Sequence, residues 1–332
     1  PTPSDVPLFL YLESLMSQNS AFITGGAGFI GRWIVDRCLR SGYAVTVYDN
    51  FCAGPLDNLS EFADRITIVE GDILDRAALT GAMDEAQPDV LFHMAAHHFI
   101  PFCDAHPDET LRVNVEGTNA VLDVAAQAGV ATAVVASSGA IYPSVDELIS
   151  EDLTAAPVDV YGLSKLLTEG VCEHIARTTD LEVVAARLFN TYGAFETNPH
   201  LIPHIMESLH EGPVVPLGNI HTKRDYIYVE DVAELLFAAA QADLSSHPNG
   251  YAVTNVGTGV EYSAENIIEA LRDLTGIDIE IKQRANRKRS VDKLHQRADT
   301  TRLMALTGTS ARHSLHEGLT KLLQHERLPV LA

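Results

Sequence analysis

The stretch Ala21-Phe22-Ile23-Thr24-Gly25-Gly26-Ala27-Gly28-Phe29-Ile30-Gly31 decides the fold: a short apolar, β-prone run enters a loop with glycines at 25, 28 and 31. Glycines permit a tight turn and let the backbone approach a diphosphate. The diphosphate charge then meets the free amides and positive dipole end of the helix that opens there. Glycine triplets also occur in ordinary turns, so the next strand is read together with this one. Ala44-Val45-Thr46-Val47-Tyr48 ends at Asp49, 18 residues after Gly31. A carboxylate there can accept a hydrogen bond from a ribose 2′-hydroxyl and repel a 2′-phosphate, whereas the plainer reading is a strand-end turn residue. Loop and carboxylate together predict a dinucleotide site that favours NAD over NADP.

Outward from this unit, apolar runs at 66–69, 90–93 and 133–136 alternate with amphipathic stretches, which is the βαβ rhythm. Strands apolar on both faces belong to a sheet covered by helices on each side, so the expected class is α/β, a Rossmann-type doubly wound parallel sheet. After Arg187, segments punctuated by Pro and Gly predict a smaller C-terminal substrate-binding α/β domain. The expected division is an N-terminal extension over 1–19, a dinucleotide domain over 20–186 and a second domain over 187–332. Residues 225–257 are expected to return to the first domain, with a helix from Tyr226 to Ala242. Long helices are predicted over Thr110 to Gln127 and Val160 to Thr178; both carry apolar residues on more than one face, as a homodimer interface would require. Met16 is a candidate natural start, with Pro1 to Leu15 upstream of it.

The composition excludes several partners. Forty-five acidic against 23 basic residues give a net charge of −22, which disfavours nucleic acid and anionic membranes. No window approaches the roughly 18 apolar residues of a spanning helix. Four scattered cysteines without a Cys-x-x-Cys signal neither a zinc site nor a disulfide framework and fit a reducing cytoplasm.

Asp72, in Glu70-Gly71-Asp72-Ile73, follows the third strand and can hold an adenine edge, although Asp after Gly is also an ordinary turn. Tyr161 and Lys165 share a helical face at i, i+4. An ammonium lowers the pKa of a neighbouring phenol, so the phenolate can take a proton from an alcohol while hydride leaves its carbon for nicotinamide. Ser137 and Ser138 close the strand upstream, where a hydroxyl can bond the same substrate oxygen. His93 reads as structural, while His97 and His98 either contact cofactor phosphate, pack their loop or supply acid–base chemistry. Without a third ligand at useful spacing, no metal site is expected.

With these motifs in order, the sequence resembles the extended short-chain dehydrogenase/reductases that act on nucleotide sugars, in particular the UDP-glucose 4-epimerase-like branch. The resemblance spans about Ser20 to Leu323 and includes His93-Met94-Ala95-Ala96, Asn114-Val115-Glu116-Gly117-Thr118, Arg187-Leu188-Phe189-Asn190 and Arg224-Asp225-Tyr226. It implies NAD contacts at Gly25, Gly28, Phe29, Ile30, Gly31, Asp49, Asn50, Asp72, Ile73, Ala95, Ala96, His98, Asn114, Ser137, Tyr161 and Lys165. It implies catalysis by Ser138, Tyr161 and Lys165. Substrate contacts are implied at Cys103, Ser138, Asn190, Leu201, Arg224 and Arg289, for a nucleotide-diphosphate sugar, UDP-sugar foremost. Homodimers are implied as well.

What is missing selects the branch. Related 4,6-dehydratases carry Asp-Glu directly after the catalytic hydroxyl residue, decarboxylases a Glu near there, and 3,5-epimerases a Cys just before Ile-Tyr-Pro; this chain has Gly139-Ala140-Ile141-Tyr142-Pro143. A 4-epimerase needs none of these, because a 4-keto intermediate only has to turn and take hydride on its other face. The expected function is therefore an NAD-dependent nucleotide-sugar 4-epimerase of UDP-hexose or UDP-uronate type. The alternative is a 4,6-dehydratase or decarboxylase on the same fold. A non-catalytic NAD-binding regulator would have no need of Ser138, Tyr161 and Lys165.

Overall fold

The computed structural model describes residues 19–284 and 294–331, so Pro1 to Leu15, Met16 and Arg289 lie outside the described residues. In chain order, the first half comprises β1 (Ser20–Thr24), α1 (Phe29–Arg40), β2 (Ala44–Asp49), β3 (Thr67–Glu70), α2 (Arg76–Ala86), β4 (Val90–His93), α3 (Ile100–Ala105), α4 (Pro107–Leu111), α5 (Thr118–Gln127) and β5 (Thr132–Ser138). There follow α6 (Val160–Thr178), β6 (Glu182–Leu188), β7 (Asn190–Tyr192), α7 (Leu201–Glu211), β8 (Val214–Leu217), β9 (Lys223–Tyr228), α8 (Val229–Ala239), β10 (Tyr251–Val256), β11 (Glu261–Ser263), α9 (Ala264–Thr275), β12 (Glu280–Gln283), α10 (Thr301–Thr307) and α11 (Leu315–His325).

Seven strands form one parallel sheet in the order β10-β6-β5-β4-β1-β2-β3. Side-chain alternation along β1 sends Ala21 and Ile23 to one face and Phe22 to the other. The first face packs on Ile34, Val35 and Cys38 of α1 and Val232, Leu235 and Leu236 of α8. The second packs on Leu79 and Met83 of α2, Leu122 and Ala125 of α5, and Cys172 and Ile175 of α6. Full burial of a side chain such as Phe22 or Ile23 contributes about 1.5–3 kcal/mol. This two-sided burial explains why the strands read as continuous apolar runs. Strand order reverses between β1 and β4, and a crevice opens at the carboxyl ends of strands on either side of such a switch point.

The rest of the chain adds a three-stranded sheet, β11-β9-β7, and a parallel pair, β12-β8. Ile202, Ile205 and Met206 of α7, Ile267 and Leu271 of α9 and Leu319 and Leu323 of α11 form their apolar core. Within 225–257, β9 belongs to the three-stranded sheet, whereas β10 closes the edge of the seven-stranded one. Between them α8 packs on α1: Arg37 Nε donates to Glu234 Oε2 at 2.5 Å, and the Tyr43 and Phe237 rings lie 5.4 Å apart.

Two expected helices differ from the structure. Tyr226 to Tyr228 ends a strand, and the helix begins only at Val229; the alternation in Arg224-Asp225-Tyr226-Ile227-Tyr228 is the period-2 signal that outweighs the helical one. The run from Thr110 to Gln127 is interrupted by a π-turn over Arg112–Gly117. Its cause is partly distant in sequence: the Asn114 carbonyl accepts the hydroxyls of Thr118 (2.6 Å) and Thr168 (3.0 Å), which compete with the regular helical bond.

Candidate active site

A cleft of about 1200 Å³ runs along the carboxyl ends of the sheet strands and continues over β7, α7 and β9. That exceeds the roughly 300–1,000 Å³ of a site for one drug-sized ligand. Gly25, Gly28, Phe29, Ile30 and Gly31 line its floor. Gly25 has φ +71°, and a Cβ there would lie 2.7 Å from Ala95 N; a Cβ at Gly31 would lie 2.1 Å from Gly25 O. At Gly28 the same atom meets only Gly25 O, at 3.1 Å. The loop is thus a backbone surface pressed against β4 and α1, with no side chain between it and the cleft.

Asp49, Asn50, Asp72 and Ile73 line the cleft beyond β2 and β3. The Asp49 carboxylate accepts the amides of Ala27 (2.9 Å) and Phe51 (2.8 Å), and burial pushes its pKa up. Asn50 Nδ2 donates to Asp72 Oδ2 at 3.1 Å. Ala95, Ala96 and His98 form the next wall.

Asn114 departs from expectation. It is 1% exposed, and its amide accepts from His97 N and donates to His97 O, both at 2.8 Å, and to Ser164 Oγ at 2.9 Å. Those bonds hold the 97–99 loop against α6, and the side chain is not on the cleft wall. Cys103 departs too: it is fully buried beneath that loop, off the wall, and burial raises its thiol pKa. His93 is structural, as read: Thr24 and Thr118 hydroxyls flank its ring at 2.6 and 2.9 Å, and burial lowers it to about 3.

At the end of β5 the two serines diverge by strand alternation. Ser138 Oγ accepts from Ala140 N at 3.1 Å and is hydrogen-bonded to Tyr161. Ser137 Oγ donates instead to Glu169 Oε1 at 2.5 Å. Lys165 Nζ donates to Ala136 O at 2.7 Å and lies 6.0 Å from the Tyr161 ring centre. Burial brings Lys165 down to about 8, opposed by Cys172, Cys103 and Glu169. Burial also pushes the Tyr161 phenol up to about 12, with the Ser138 bond pulling the other way. The phenol therefore sits above its ordinary value; desolvation outweighs the lowering that the i, i+4 spacing predicts.

Behind these groups lies a buried network. Arg187 donates Nε to Glu169 Oε1 (2.9 Å), Nη2 to Glu169 Oε2 (2.7 Å) and Nη1 to Tyr142 Oη (2.6 Å), and Tyr142 Oη donates to Asn255 Oδ1 (2.8 Å). Glu169 stands one turn after Lys165 and ties α6 to β5 and β6. Sequence reading quoted Arg187 but missed Glu169; a lone carboxylate on the buried stripe of an amphipathic helix is the signal that points to it.

On the opposite wall are Asn190, Leu201, Arg224 and Gln296. Arg224 Nη1 donates to Lys223 O at 2.8 Å, and Gln296 Nε2 donates to Gly139 O at 2.9 Å. Arg289, expected here, lies outside the described residues. A second group missed from sequence is Glu196 with His200, again i, i+4: His200 Nδ1 contacts Glu196 Oε1, and His98 Nε2 lies 2.8 Å from Asn198 Nδ2. Burial brings His98 down to about 4, so at neutral pH its imidazole is uncharged and joins the 97–99 loop to the 196–200 loop. Among the described residues, no three His, Cys, Asp or Glu side chains gather to hold a metal, and no helix is long and apolar enough to cross a membrane.

The sequence model of the NAD dependent epimerase/dehydratase family matches residues 21–257. The UDP-glucose 4-epimerase of Mycolicibacterium smegmatis is 31% identical over 319 residues, covering 92% of this chain and 97% of that protein. Among solved structures, a UDP-glucose-4-epimerase from Stenotrophomonas maltophila with bound NAD and formylated UDP-arabinopyranose superposes with a TM-score of 0.86 at 26% identity, over 93% of this chain and 98% of the other. An NAD-dependent NDP-hexosamine 5,6-dehydratase involved in tunicamycin biosynthesis gives a TM-score of 0.80 at 28% identity, over 92% and 97%.

Proposed function

The chain belongs to the NAD-dependent epimerase/dehydratase family, and from that premise we propose that it is a nucleotide-sugar 4-epimerase, acting on a UDP-hexose or UDP-uronate through a transient 4-keto sugar. NAD is its cofactor; held in the cleft, it would supply the acceptor and donor of a hydride for C4 of the sugar. The residues fit that group. The bare glycine backbone, where a Cβ at Gly31 would strike Gly25 O, suits a diphosphate, and Asp49 with Asn50 and Asp72 supplies hydroxyl and amine acceptors beyond it. In the proposed assignment Gly25, Gly28, Phe29, Ile30, Gly31, Asp49, Asn50, Asp72, Ile73, Ala95, Ala96 and His98 hold the dinucleotide. Asn190, Leu201 and Arg224 hold the nucleotide diphosphate, with the guanidinium facing a phosphate.

The observation that carries the reading is the Ser138–Tyr161 hydrogen bond beside Lys165, on the cleft and within reach of one substrate oxygen. Tyr161 Oη takes the proton of the C4 hydroxyl as the keto sugar forms and gives it back when C4 is reduced from the other face. Ser138 fixes the oxygen in both directions, and the Lys165 ammonium stabilises the phenolate. Elimination of water is less well served. Ala140 brings no carboxylate to the cleft, and a Cβ at Gly139 would already lie 3.1 Å from Gln296 Nε2.

Exposed Leu163 and Leu167, one turn apart on α6, support a homodimer through that helix. The division of the chain near residue 187, with 225–257 returning to the first unit, belongs to the same proposal.

Lys165 at about 8 sets a pH dependence. Below that value the ammonium is present; above it the charge that stabilises phenolate is lost, so kcat/KM is expected to hold level from pH 6 to about 8 and to fall towards 10. A rate profile over that range checks it, and a profile still climbing at pH 10 contradicts it. The function itself is tested by proton NMR of the protein with UDP-sugars and no added cofactor: appearance of the C4 epimer supports it, and a 4-keto-6-deoxy or pentose product contradicts it.

A further inference from the structure

Glu196 stands on the cleft wall with a side chain 3% exposed. His200 Nδ1 holds Oε1, while Oε2 is buried with no hydrogen-bond partner. A buried carboxylate oxygen without a donor is costly, and the soft terminal torsion of Glu lets it turn toward a donor arriving in the cleft. The pair borders His98, whose imidazole is flanked by both His200 and the Lys165 ammonium. His200 lies 6.3 Å from the His98 ring, and the loop bearing His98 is clamped by Asn114 to Ser164, next to Lys165 in sequence. Burial pushes the Glu196 carboxyl up, and the His200 contact pulls it back towards the ionised form.

We propose that Glu196, braced by His200, accepts a hydroxyl of the sugar and selects neutral, hydroxyl-bearing sugars over uronates. This rests on the nucleotide-sugar reading above and settles which of its two sugar classes the cleft prefers. A hydroxyl donor satisfies Oε2, whereas a uronate brings a like charge towards a buried carboxylate.

The test is calorimetric titration of the NAD-loaded protein with UDP, UDP-glucose and UDP-glucuronate, in wild type, Glu196→Gln and Glu196→Ala, with bound NAD measured after denaturation. UDP affinity is expected to stay within about twofold, because the contact is to the sugar. UDP-glucose is expected to weaken about tenfold in Glu196→Ala, the loss of one charge-assisted bond. In Glu196→Gln the ratio of the two sugar affinities shifts about tenfold toward the uronate. Equal weakening of UDP and UDP-glucose, loss of NAD from the variants, or unchanged sugar affinities would each overturn the proposal while leaving the epimerase reading standing. Failure of UDP to bind wild type overturns both.

Discussion

Tyr161→Phe is expected to lower kcat by about 10²–10⁴, the usual contribution of a positioned acid–base group, while bound NAD remains at the wild-type level. The ring keeps its volume and only the hydroxyl is removed, so Lys165, bonded to Ala136 O, retains its place. What is lost is the group that passes the proton between the C4 oxygen and the protein, together with its hydrogen bond to Ser138. Turnover measured under saturating UDP-sugar, with cofactor content read from the absorbance of the denatured supernatant, separates the two effects. Turnover within tenfold of wild type would remove Tyr161 from catalysis.

Gly31→Ala is expected to abolish NAD retention and to destabilise the fold by about 1–3 kcal/mol or more, the range for atoms forced into a filled site. The added Cβ would stand 2.1 Å from Gly25 O and 2.8 Å from Gly26 Cα, and both obstacles are backbone, so no side-chain rotation relieves them. Relief requires the loop to lift from α1, which moves the amides that face the diphosphate. Gly81→Ala in α2 is the control: no atom lies within 4 Å of its Cβ, and the exchange should be neutral or stabilising by roughly 0.4–1 kcal/mol. Thermal unfolding and NAD content of both variants measure this. Wild-type NAD retention in Gly31→Ala would show that the loop is not built on that close approach.

The parts of the fold and site that were legible in the sequence are those whose physics is local. The glycine loop, Asp49 at the end of β2 and the i, i+4 pair on α6 each carry their meaning within a few residues, and the structure brings them to one cleft. The parallel sheet was legible because burial on both faces leaves continuous apolar strands. The misreadings concern residues whose surroundings come from elsewhere in the chain. Asn114 has the composition of a cofactor ligand, yet its amide is fully used by His97 and Ser164, the latter 50 positions away. Cys103 follows a motif in register, but the turn of α3 carries its thiol inward. The break in the helix after Leu111 depends on a hydroxyl from Thr168, which no window around Asn114 contains. The elevated Tyr161 phenol has the same origin: spacing predicts the lysine, whereas desolvation is a property of the packed site. Glu169 and Glu196 were missed for a related reason, since a carboxylate reads as solvated until its burial is known.

The most direct test of the central claim is the fate of deuterium at C4. UDP-glucose labelled there and incubated with the protein in ordinary water, without added cofactor, is predicted to yield UDP-galactose with the deuterium still on C4 and no solvent proton at any sugar carbon. Loss of the C4 label, or exchange with solvent at C5, would contradict a transient 4-keto sugar that is reduced at the same carbon.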